Sequence, residues 1–260
     1  MRFSWSIPNS SILAVLMCVS IAHAGFICDG TDDRLTTGLT GSTFFTSTGA
    51  TISLWIKPTG TAPAVAHLFE GQGIIGDVDA YYGIYRHNNS GEGDRVNCWG
   101  FVASSFEVAT TTDNNTWTHI AYVQTGTALT CYKNGVSAGS NTSAASLEVS
   151  ASGNVNLCDV DEPGVATVFA GEIADVRLFN TALTASQIEV IAASRMHMVG
   201  PFNGTAYWPL AQCSDGASGD GVVFVDRTGN GRSLTADNGA NNTGMACSGS
   251  SLLAWPGGNQ

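Results

Sequence analysis

The stretches ISLWIKP (52–58), WTHIAYVQTGTALTCYKNG (117–135) and FAGEIADVRLFNTALTASQI (169–188) decide the fold of this chain. Each contains a run in which apolar side chains alternate with polar or small ones, the period of a half-buried β-strand. The middle stretch ends in Asn134-Gly135, which suits a type I′ hairpin turn because both central residues of that turn have positive φ. These patterns predict antiparallel β-structure.

The rest of the chain has the composition of an all-β domain. It is rich in Gly, Ser, Thr, Ala and Val and poor in Lys and Glu, which favours strands and turns over helices. One short helix is predicted at 185–194, because Thr184 and Gln187 have the spacing of a capping box and Ile188 and Ile191 share a face. The chain is long enough to form one sandwich or barrel with a full core.

The N-terminus has the pattern of a secretory signal peptide over residues 1–24. Arg2 provides a basic start, SILAVLMCVSIA (11–22) is apolar, and AHA (22–24) is a small-x-small cleavage signal before Gly25. The apolar run is short for a transmembrane span, which disfavours the alternative of an uncleaved anchor. We therefore expect a secreted protein, extracellular or at the cell surface, with no membrane span after cleavage.

The chain is acidic, with a formal net charge of −11 at pH 7. Loss of the signal peptide removes Arg2 and no acidic residue, so the mature chain is more negative still. Such a field repels phosphate backbones, and nucleic acid is therefore not expected as a partner. The charge is compatible with cation binding and with the solubility of an exported protein.

Six cysteines remain once Cys18 leaves with the signal peptide, and an even number predicts three disulfides in an oxidising compartment. None of them has CxxC spacing, which argues against a zinc ribbon or a thioredoxin-like site. Six cysteines allow 15 pairings. We prefer a bond between neighbouring strands, a bond inside the C-terminal segment, and the pair that remains. These pairs are Cys98–Cys131, Cys213–Cys247 and Cys28–Cys158.

Three segments resemble, in order and spacing, the laminin-G-like, concanavalin-A-like jelly-roll family. FICDGTDDRL (26–35) is similar to the family's opening strand L-x-F-D-G-x-D-D-x-V, with Cys28 in place of the aromatic residue. The second segment carries W-x-H-I-A and Y-x-N-G, and the third carries F-x-G-x-I-D-D-V-R-I-Y-N-x-A-L-S with Ala174 in place of one acidic residue. The matching residues of these two segments are Trp117, His119, Ile120, Ala121, Tyr132, Asn134, Gly135, Phe169, Gly171, Ile173, Asp175, Val176, Arg177, Phe179, Asn180, Ala182 and Leu183.

The resemblance implies a two-sheet antiparallel jelly-roll β-sandwich over residues 25–195. The C-terminal segment 196–260 contains YWPLAQCSDG and DRTGNGRS, which are similar to a segment that precedes the opening strand in the family. We expect this segment to complete the same sandwich in a permuted order. Alternatively, it opens a second module whose strands pair with a sheet edge of another subunit.

The sequence lacks motifs of catalysis. Laminarinase-like glycosidases on this sandwich carry E-x-D-x-x-E on one strand, because two carboxylates must flank the scissile bond. No such triplet occurs here, and G-x-S-x-G and HExxH are also absent. We therefore expect a protein that is not an enzyme, with a glycoside hydrolase as the least favoured alternative.

A structural calcium site is predicted near the opening strand. The turn DGTDD supplies Asp29, Asp32 and Asp33, and Ca²⁺ prefers carboxylate and carbonyl oxygens. The resemblance implies that the opening strand and the strand that carries Asp175 lie side by side, and that a structural calcium lies near them, as in related sandwiches. The alternative is that the aspartates cap the turn by accepting backbone N–H bonds.

A sugar site needs an aromatic platform with hydrogen-bonding groups beside it. Trp99, Tyr82 and Tyr85 fall on neighbouring predicted strands and are the candidate ligand-binding residues; the alternative is that they fill the core. The leading function is a non-catalytic binding module for a glycan or an extracellular surface protein. The other function considered is a structural protein that forms oligomers through its C-terminal segment.

Overall fold

The computed structural model describes residues 25–62, 72–77, 82–88, 94–100, 106–142, 153–159, 168–194, 204–210 and 221–237. The predicted signal peptide and the predicted pair Cys213–Cys247 lie outside these ranges. No helix within them is long and apolar enough to cross a membrane.

The described chain forms 15 strands and two helices. The strands are β1 (Phe26–Asp29), β2 (Arg34–Thr40), β3 (Gly49–Pro58), β4 (Gln72–Asp77), β5 (Tyr82–Asn88), β6 (Asp94–Gly100), β7 (Phe106–Thr111), β8 (Thr118–Thr125), β9 (Ala128–Lys133), β10 (Val136–Asn141), β11 (Asn154–Leu157), β12 (Ala170–Phe179), β13 (Ala206–Trp208), β14 (Val223–Phe224) and β15 (Leu234–Asp237). The helices are α1 (Gly41–Phe44), which was not predicted, and α2 (Ala185–Ser194), which was.

The strands form two antiparallel sheets, which confirms the predicted jelly-roll β-sandwich. The seven-stranded sheet has the order β1-β12-β3-β8-β9-β10, with β13 also paired to β12. The eight-stranded sheet has the order β14-β15-β2-β11-β4-β5-β6-β7. The core lies between them and is filled by alternate side chains of each strand, such as Ile52, Leu54 and Ile56 of β3.

Helix α2 covers part of the outer face of the seven-stranded sheet. Its capping box is present, because Thr184 N donates to Gln187 Oε1 at 2.8 Å and Gln187 N donates to Thr184 Oγ1 at 3.3 Å. Ile188 and Ile191 are buried with Val123 and other residues in a second, smaller apolar cluster. The helix therefore stabilises the outside of this sheet, while the outside of the other sheet has no such described helix.

Strands from the C-terminal segment belong to both sheets. In the seven-stranded sheet Trp208 of β13 pairs with Val176, and in the eight-stranded sheet Ala236 of β15 pairs with Leu35. Trp208 and Phe224 are buried in the main core. The described strands of this segment are thus paired within the same chain, rather than left for another subunit.

Strands β13 and β1 lie along the same edge of β12. Both strands are antiparallel to β12: Trp208 lies opposite Val176, and Phe26 lies opposite Ile173. Strand β3 pairs with the other side of β12. They therefore run in the same direction, one after the other, as an interrupted edge strand. This arrangement is consistent with the expected permuted order, in which the C-terminal segment supplies strands that precede the opening strand in other members of the family.

Two predicted disulfides are confirmed. Cys98–Cys131 joins β6 to β9, and Cys28–Cys158 joins β1 to the residue after β11. Strands β6 and β9 belong to opposite sheets, so the expectation that Cys98 and Cys131 lie on neighbouring strands was wrong. Both bonds cross the core from one sheet to the other.

Candidate functional site

The turn between β1 and β2 brings three of the predicted metal ligands together. One carboxylate oxygen from each of Asp29, Asp32 and Asp33 lies within 4.8 Å of the others. Gly30 permits this turn, because its φ is +83° and a Cβ there would lie 2.9 Å from the Ala170 Cβ. The three carboxylates are therefore held close by the backbone of the turn.

Two of the three carboxylates also cap the turn, as the alternative interpretation required. Asp29 N donates to Asp33 Oδ2 at 2.7 Å, and Thr31 N donates to Asp29 Oδ1 at 2.7 Å. Asp32 differs, because both of its carboxylate oxygens are buried and neither has a hydrogen-bond partner in the described residues. Capping thus accounts for Asp29 and Asp33 and leaves Asp32 unexplained.

Burial and mutual repulsion both act on the carboxylates of this turn. Burial, together with the neighbouring charges of Asp29 and Asp32, raises the pKa of Asp33 to about 6, although the N–H of Asp29 opposes the shift. Close carboxylates repel one another unless a cation lies between them. An unpartnered Asp32 carboxylate beside two others has the chemistry of an oxygen-only site for Ca²⁺.

Asp175 does not lie in this group. The register of β1 on β12 places Asp29 opposite Ala170, and Asp175 follows five residues later, roughly 16 Å along the strand at about 3.3 Å per residue. Its carboxylate instead accepts hydrogen bonds from Arg177 Nε at 3.1 Å and Nη2 at 3.0 Å. The resemblance placed the right strands side by side, but Asp175 lies toward the other end of β12 and is neutralised there by Arg177.

Tyr82 lies in the core and not at a ligand site. It is 1% exposed and packs edge-to-face on Phe45, with ring centroids 5.4 Å apart. Tyr85 is three residues further along β5 and therefore points to the opposite face of the sheet. Of the predicted ligand-binding residues, Tyr82 is thus a packing residue.

Tyr85 and Trp99 lie on the outer face of the eight-stranded sheet. Their strand neighbours Ile84 and Cys98 face the core, and Tyr85 and Trp99 themselves are 8% and 9% exposed. Asn97 shares this face, directly opposite Tyr85 and two residues before Trp99. Neither side-chain polar atom of Asn97, Oδ1 or Nδ2, has a partner in the described residues, although both are buried.

A row of paired residues crosses this outer face from Trp99. Trp99 is opposite Gly83, Gly83 is opposite Gly76, Gly76 is opposite Asn156, and Asn156 is opposite Thr36. We call these five residues the glycine row. The side-chain oxygen of Asn156 is a second buried acceptor with no partner in the part of the chain that the structure describes.

The strands that carry this face are anchored at one end by Arg86. Its fully buried guanidinium donates from Nη2 to Asp94 Oδ2 and to Asn114 Oδ1, each at 2.7 Å, and from Nη1 to the Thr59 carbonyl at 2.8 Å. Burial lowers the pKa of Arg86, and the hydrogen bond and charge of Asp94 oppose that shift. The β5–β6 hairpin is thereby tied to the loops after β3 and before β8.

Sequence reasoning missed the polar residues of this site. Asn97 and Asn156 were not predicted as ligand-binding residues. Alternation places Asn97 on the same face as Trp99, two residues away, so a signal for it was present. The position of Asn156 depends on the pairing of β11 with β4, which no local pattern reports.

The family model of laminin G type described as the concanavalin A-like lectin/glucanases superfamily matches residues 29–189. The match spans more than half of the chain, and the chain belongs to this superfamily. No protein of curated function matches the sequence.

Two solved structures share the fold. A candidate carbohydrate-binding protein from Bacteroides ovatus superposes with a TM-score of 0.59 at 14% identity, over 87% of this chain and 60% of its own length. The heptameric SAP-like pentraxin of Limulus polyphemus superposes with a TM-score of 0.55 at 17% identity, over 70% of this chain and 87% of its own. This chain therefore spans less than two thirds of the Bacteroides protein.

Proposed function

We propose that this protein is a secreted, non-catalytic module that recognises a glycan. The observation that carries the proposal is the group formed by Trp99, Tyr85 and Asn97 on the outer face of the eight-stranded sheet, where the Asn97 amide has no partner among the described residues. Membership in a superfamily that includes lectins and likeness in fold to a candidate carbohydrate-binding protein support it.

The three side chains offer complementary contacts to a sugar. Aromatic rings present apolar surface to the C–H faces of a pyranose, and an asparagine amide presents both a donor and an acceptor to hydroxyl groups. Because Tyr85 and Trp99 are each less than a tenth exposed, the sugar would meet the exposed edges of their rings, and the buried Asn97 amide lies directly beneath that surface. The proposed site would bind a sugar without catalysing a reaction, since Trp99, Tyr85 and Asn97 include no nucleophile and no acid–base pair.

A glycan array probed with the mature protein, with and without Ca²⁺, tests this function. We expect binding to one class of glycan, and Trp99→Ala should abolish it because the ring supplies most of the apolar contact. Trp117→Ala is the matched control, since Trp117 precedes β8 of the opposite sheet. Absence of binding to every glycan, with binding to an extracellular surface protein, would contradict the proposal in favour of protein recognition.

We further propose a structural Ca²⁺ ligated by Asp29, Asp32 and Asp33. The observation that favours it is the Asp32 carboxylate, which is buried and unpartnered in the described residues beside two other carboxylates. The ion would neutralise the turn and stabilise the start of β2. Exposed Asp29 leaves one side of the ion open to water or to backbone carbonyls.

A further inference from the structure

We propose that Asn114 is a site of N-linked glycosylation, at which a secretory pathway attaches an oligosaccharide to the side-chain amide. The sugar here is a covalent part of the protein and not its ligand, so this inference does not depend on the proposed glycan recognition. It depends on export of the chain, which the N-terminal pattern of residues 1–24 predicts.

The sequence provides the acceptor motif. Asn114-Asn115-Thr116 has the form N-x-T with a residue other than proline in the middle, which is the motif for N-linked glycosylation in a secreted protein. The motif at Asn114 has all three of its residues in the described ranges. Other motifs of this kind follow the predicted signal peptide, and they begin at Asn88, Asn141, Asn203 and Asn241.

The motif forms an exposed turn between β7 and β8. Thr116 N donates to the Asp113 carbonyl at 3.3 Å, and Asn115 N donates to the Pro58 carbonyl at 2.8 Å. The side chains of the turn are all exposed, at Asp113, Asn114, Asn115 and Thr116. A bulky oligosaccharide on Asn114 therefore extends into solvent and displaces no packed side chain.

Strand pairing distinguishes Asn114 from the two other motifs that begin in described residues. Asn88 is the last residue of β5 and pairs with Asp94, and Asn141 is the last residue of β10 and pairs with Leu129. Asn88 and Asn141 are half-buried, whereas Asn114 is exposed and lies outside every described strand. A glycan on Asn114 consequently interrupts no strand pairing.

The hydrogen bonds of the Asn114 amide are compatible with an attached sugar. Its Oδ1 accepts from Arg86 Nη2 at 2.7 Å, and its Nδ2 donates to Asp94 Oδ2 in a long bond of 3.5 Å. Attachment of a sugar at Nδ2 leaves the carbonyl oxygen and one N–H of the amide in place. The bond from Arg86 is therefore retained in the modified protein, and the anchor that Arg86 forms is not disturbed.

The transfer reaction changes only the amide nitrogen of Asn114. The donor class is an oligosaccharide linked to a lipid pyrophosphate, and an oligosaccharyltransferase of the secretory compartment catalyses the step. A bond forms between Asn114 Nδ2 and the anomeric carbon of the first sugar, the bond between that carbon and the pyrophosphate oxygen breaks, and the amide nitrogen loses one proton. The lipid pyrophosphate is the leaving group, and no oxidant or reductant is consumed.

Secretion of the full chain from cultured insect or mammalian cells tests the site. The protein is treated in heavy-oxygen water with a peptide N-glycosidase, which releases the glycan and converts the modified asparagine to labelled aspartate, and its peptides are analysed by mass spectrometry. We expect the label at Asn114. A secreted chain in which Asn114 is unlabelled, including one that is modified at other motifs alone, would overturn the proposal.

Substitutions of Thr116 provide a matched pair of variants, because they leave Asn114 and its bond from Arg86 in place. Thr116→Ala removes the hydroxyl that the motif requires and should abolish the label at Asn114, while Thr116→Ser keeps the motif and should retain the label. Label that persists in Thr116→Ala would show spontaneous deamidation of Asn114 and would overturn the proposal. The intracellular chain is analysed together with the secreted one, so that a variant retained by the cell still gives a result.

Discussion

His119 is a fully buried histidine on the outer face of the seven-stranded sheet. Its Nε2 lies 2.9 Å from Ser53 Oγ, its ring is 5.5 Å from that of Trp55, and its Nδ1 has no partner among the described residues. Burial and, to a lesser degree, the charge of Arg177 lower its pKa from 6.5 to about 3. It therefore remains neutral in the native protein where an unfolded chain would protonate it.

This histidine should make stability depend on pH. Because the unfolded state binds the proton more tightly between pH 3 and 6.5, the free energy of unfolding falls as pH is lowered through that window and is fully retained above pH 6.5. The loss between pH 7 and pH 4 should be about 3 kcal/mol. Urea unfolding at several pH values should show this decline in the wild type.

His119→Gln is the test of that dependence. Glutamine does not titrate and keeps a polar atom near Ser53. The free energy of unfolding of the variant should therefore lack this decline, and the advantage of the wild type over the variant should be smaller at pH 4 than at pH 7 by about 3 kcal/mol. If the two free energies of unfolding differ by the same amount from pH 4 to pH 7, the pH dependence of the wild type comes from groups other than His119. Asp33 acts in the opposite direction, since its raised pKa favours the folded state at acidic pH, and it is the same in both proteins.

The aspartate turn leads to a second residue-level prediction. A bound Ca²⁺ would stabilise only the folded protein, by about 2.7 kcal/mol at a hundredfold excess over the dissociation constant. EDTA should therefore lower the Tm and added Ca²⁺ should restore it. Asp32→Ala should remove most of this response, and the exposed Asp113→Ala should not. Melting curves that coincide in EDTA and in millimolar Ca²⁺ would limit these residues to capping.

At the scale of elements, the disulfides hold the two sheets face to face. Cys28–Cys158 closes a loop of 130 residues and Cys98–Cys131 a loop of 33. Loop-closure entropy predicts a loss of about 5 kcal/mol for the Cys28→Ala/Cys158→Ala protein and about 4 kcal/mol for Cys98→Ala/Cys131→Ala. Urea unfolding measures both.

The difference between the two disulfide variants is informative. Both cysteine pairs are buried, so both variants also leave small packing defects of similar size. A larger loss for the shorter loop would show that packing of Cys98 and Cys131 in the centre of the core, and not chain entropy, determines the effect.

At the scale of the whole molecule, the C-terminal segment should be needed for folding. It contributes β13, β14 and β15 to the two sheets and buries Trp208, Phe224 and Leu234 completely. A chain that ends at Met198 would expose the core where β13 leaves the seven-stranded sheet and where β14 and β15 leave the eight-stranded sheet. It should be insoluble or lack a cooperative unfolding transition. Trp208→Ala, which leaves the strands in place, should fold with a loss of roughly 3–5 kcal/mol.

Differential scanning calorimetry decides between the two domain arrangements. Cooperative melting of the truncated chain at the full-length temperature would refute a permuted sandwich and would make the C-terminal segment available for contacts between subunits. Re-ordering the gene so that the segment precedes Gly25 is the complementary experiment. We expect that protein to fold, because β13 and β1 lie in line along β12.

The features that the sequence alone determined depend on residues close together in the chain. The type I′ turn at Asn134-Gly135, with φ of 50° and 84°, and the capping box of Thr184 and Gln187 are formed by neighbours and were predicted correctly. Strand alternation is equally local, and applied strictly it separates Tyr82 from Tyr85, which are an odd number of residues apart. The close grouping of Asp29, Asp32 and Asp33 follows from a single turn.

Only the tertiary structure decided the features that depend on the register between distant strands. Asp175 lies with Arg177 and not with Asp29. Asn97 and Asn156 lie on one face of the eight-stranded sheet, three strands apart, and each has a buried side-chain oxygen with no partner among the described residues. The same holds for the position of the C-terminal strands beside β12 and β2. Register is set by the packing of the whole core and not by short-range contacts, so a local pattern identifies a strand but not the residue that it places opposite.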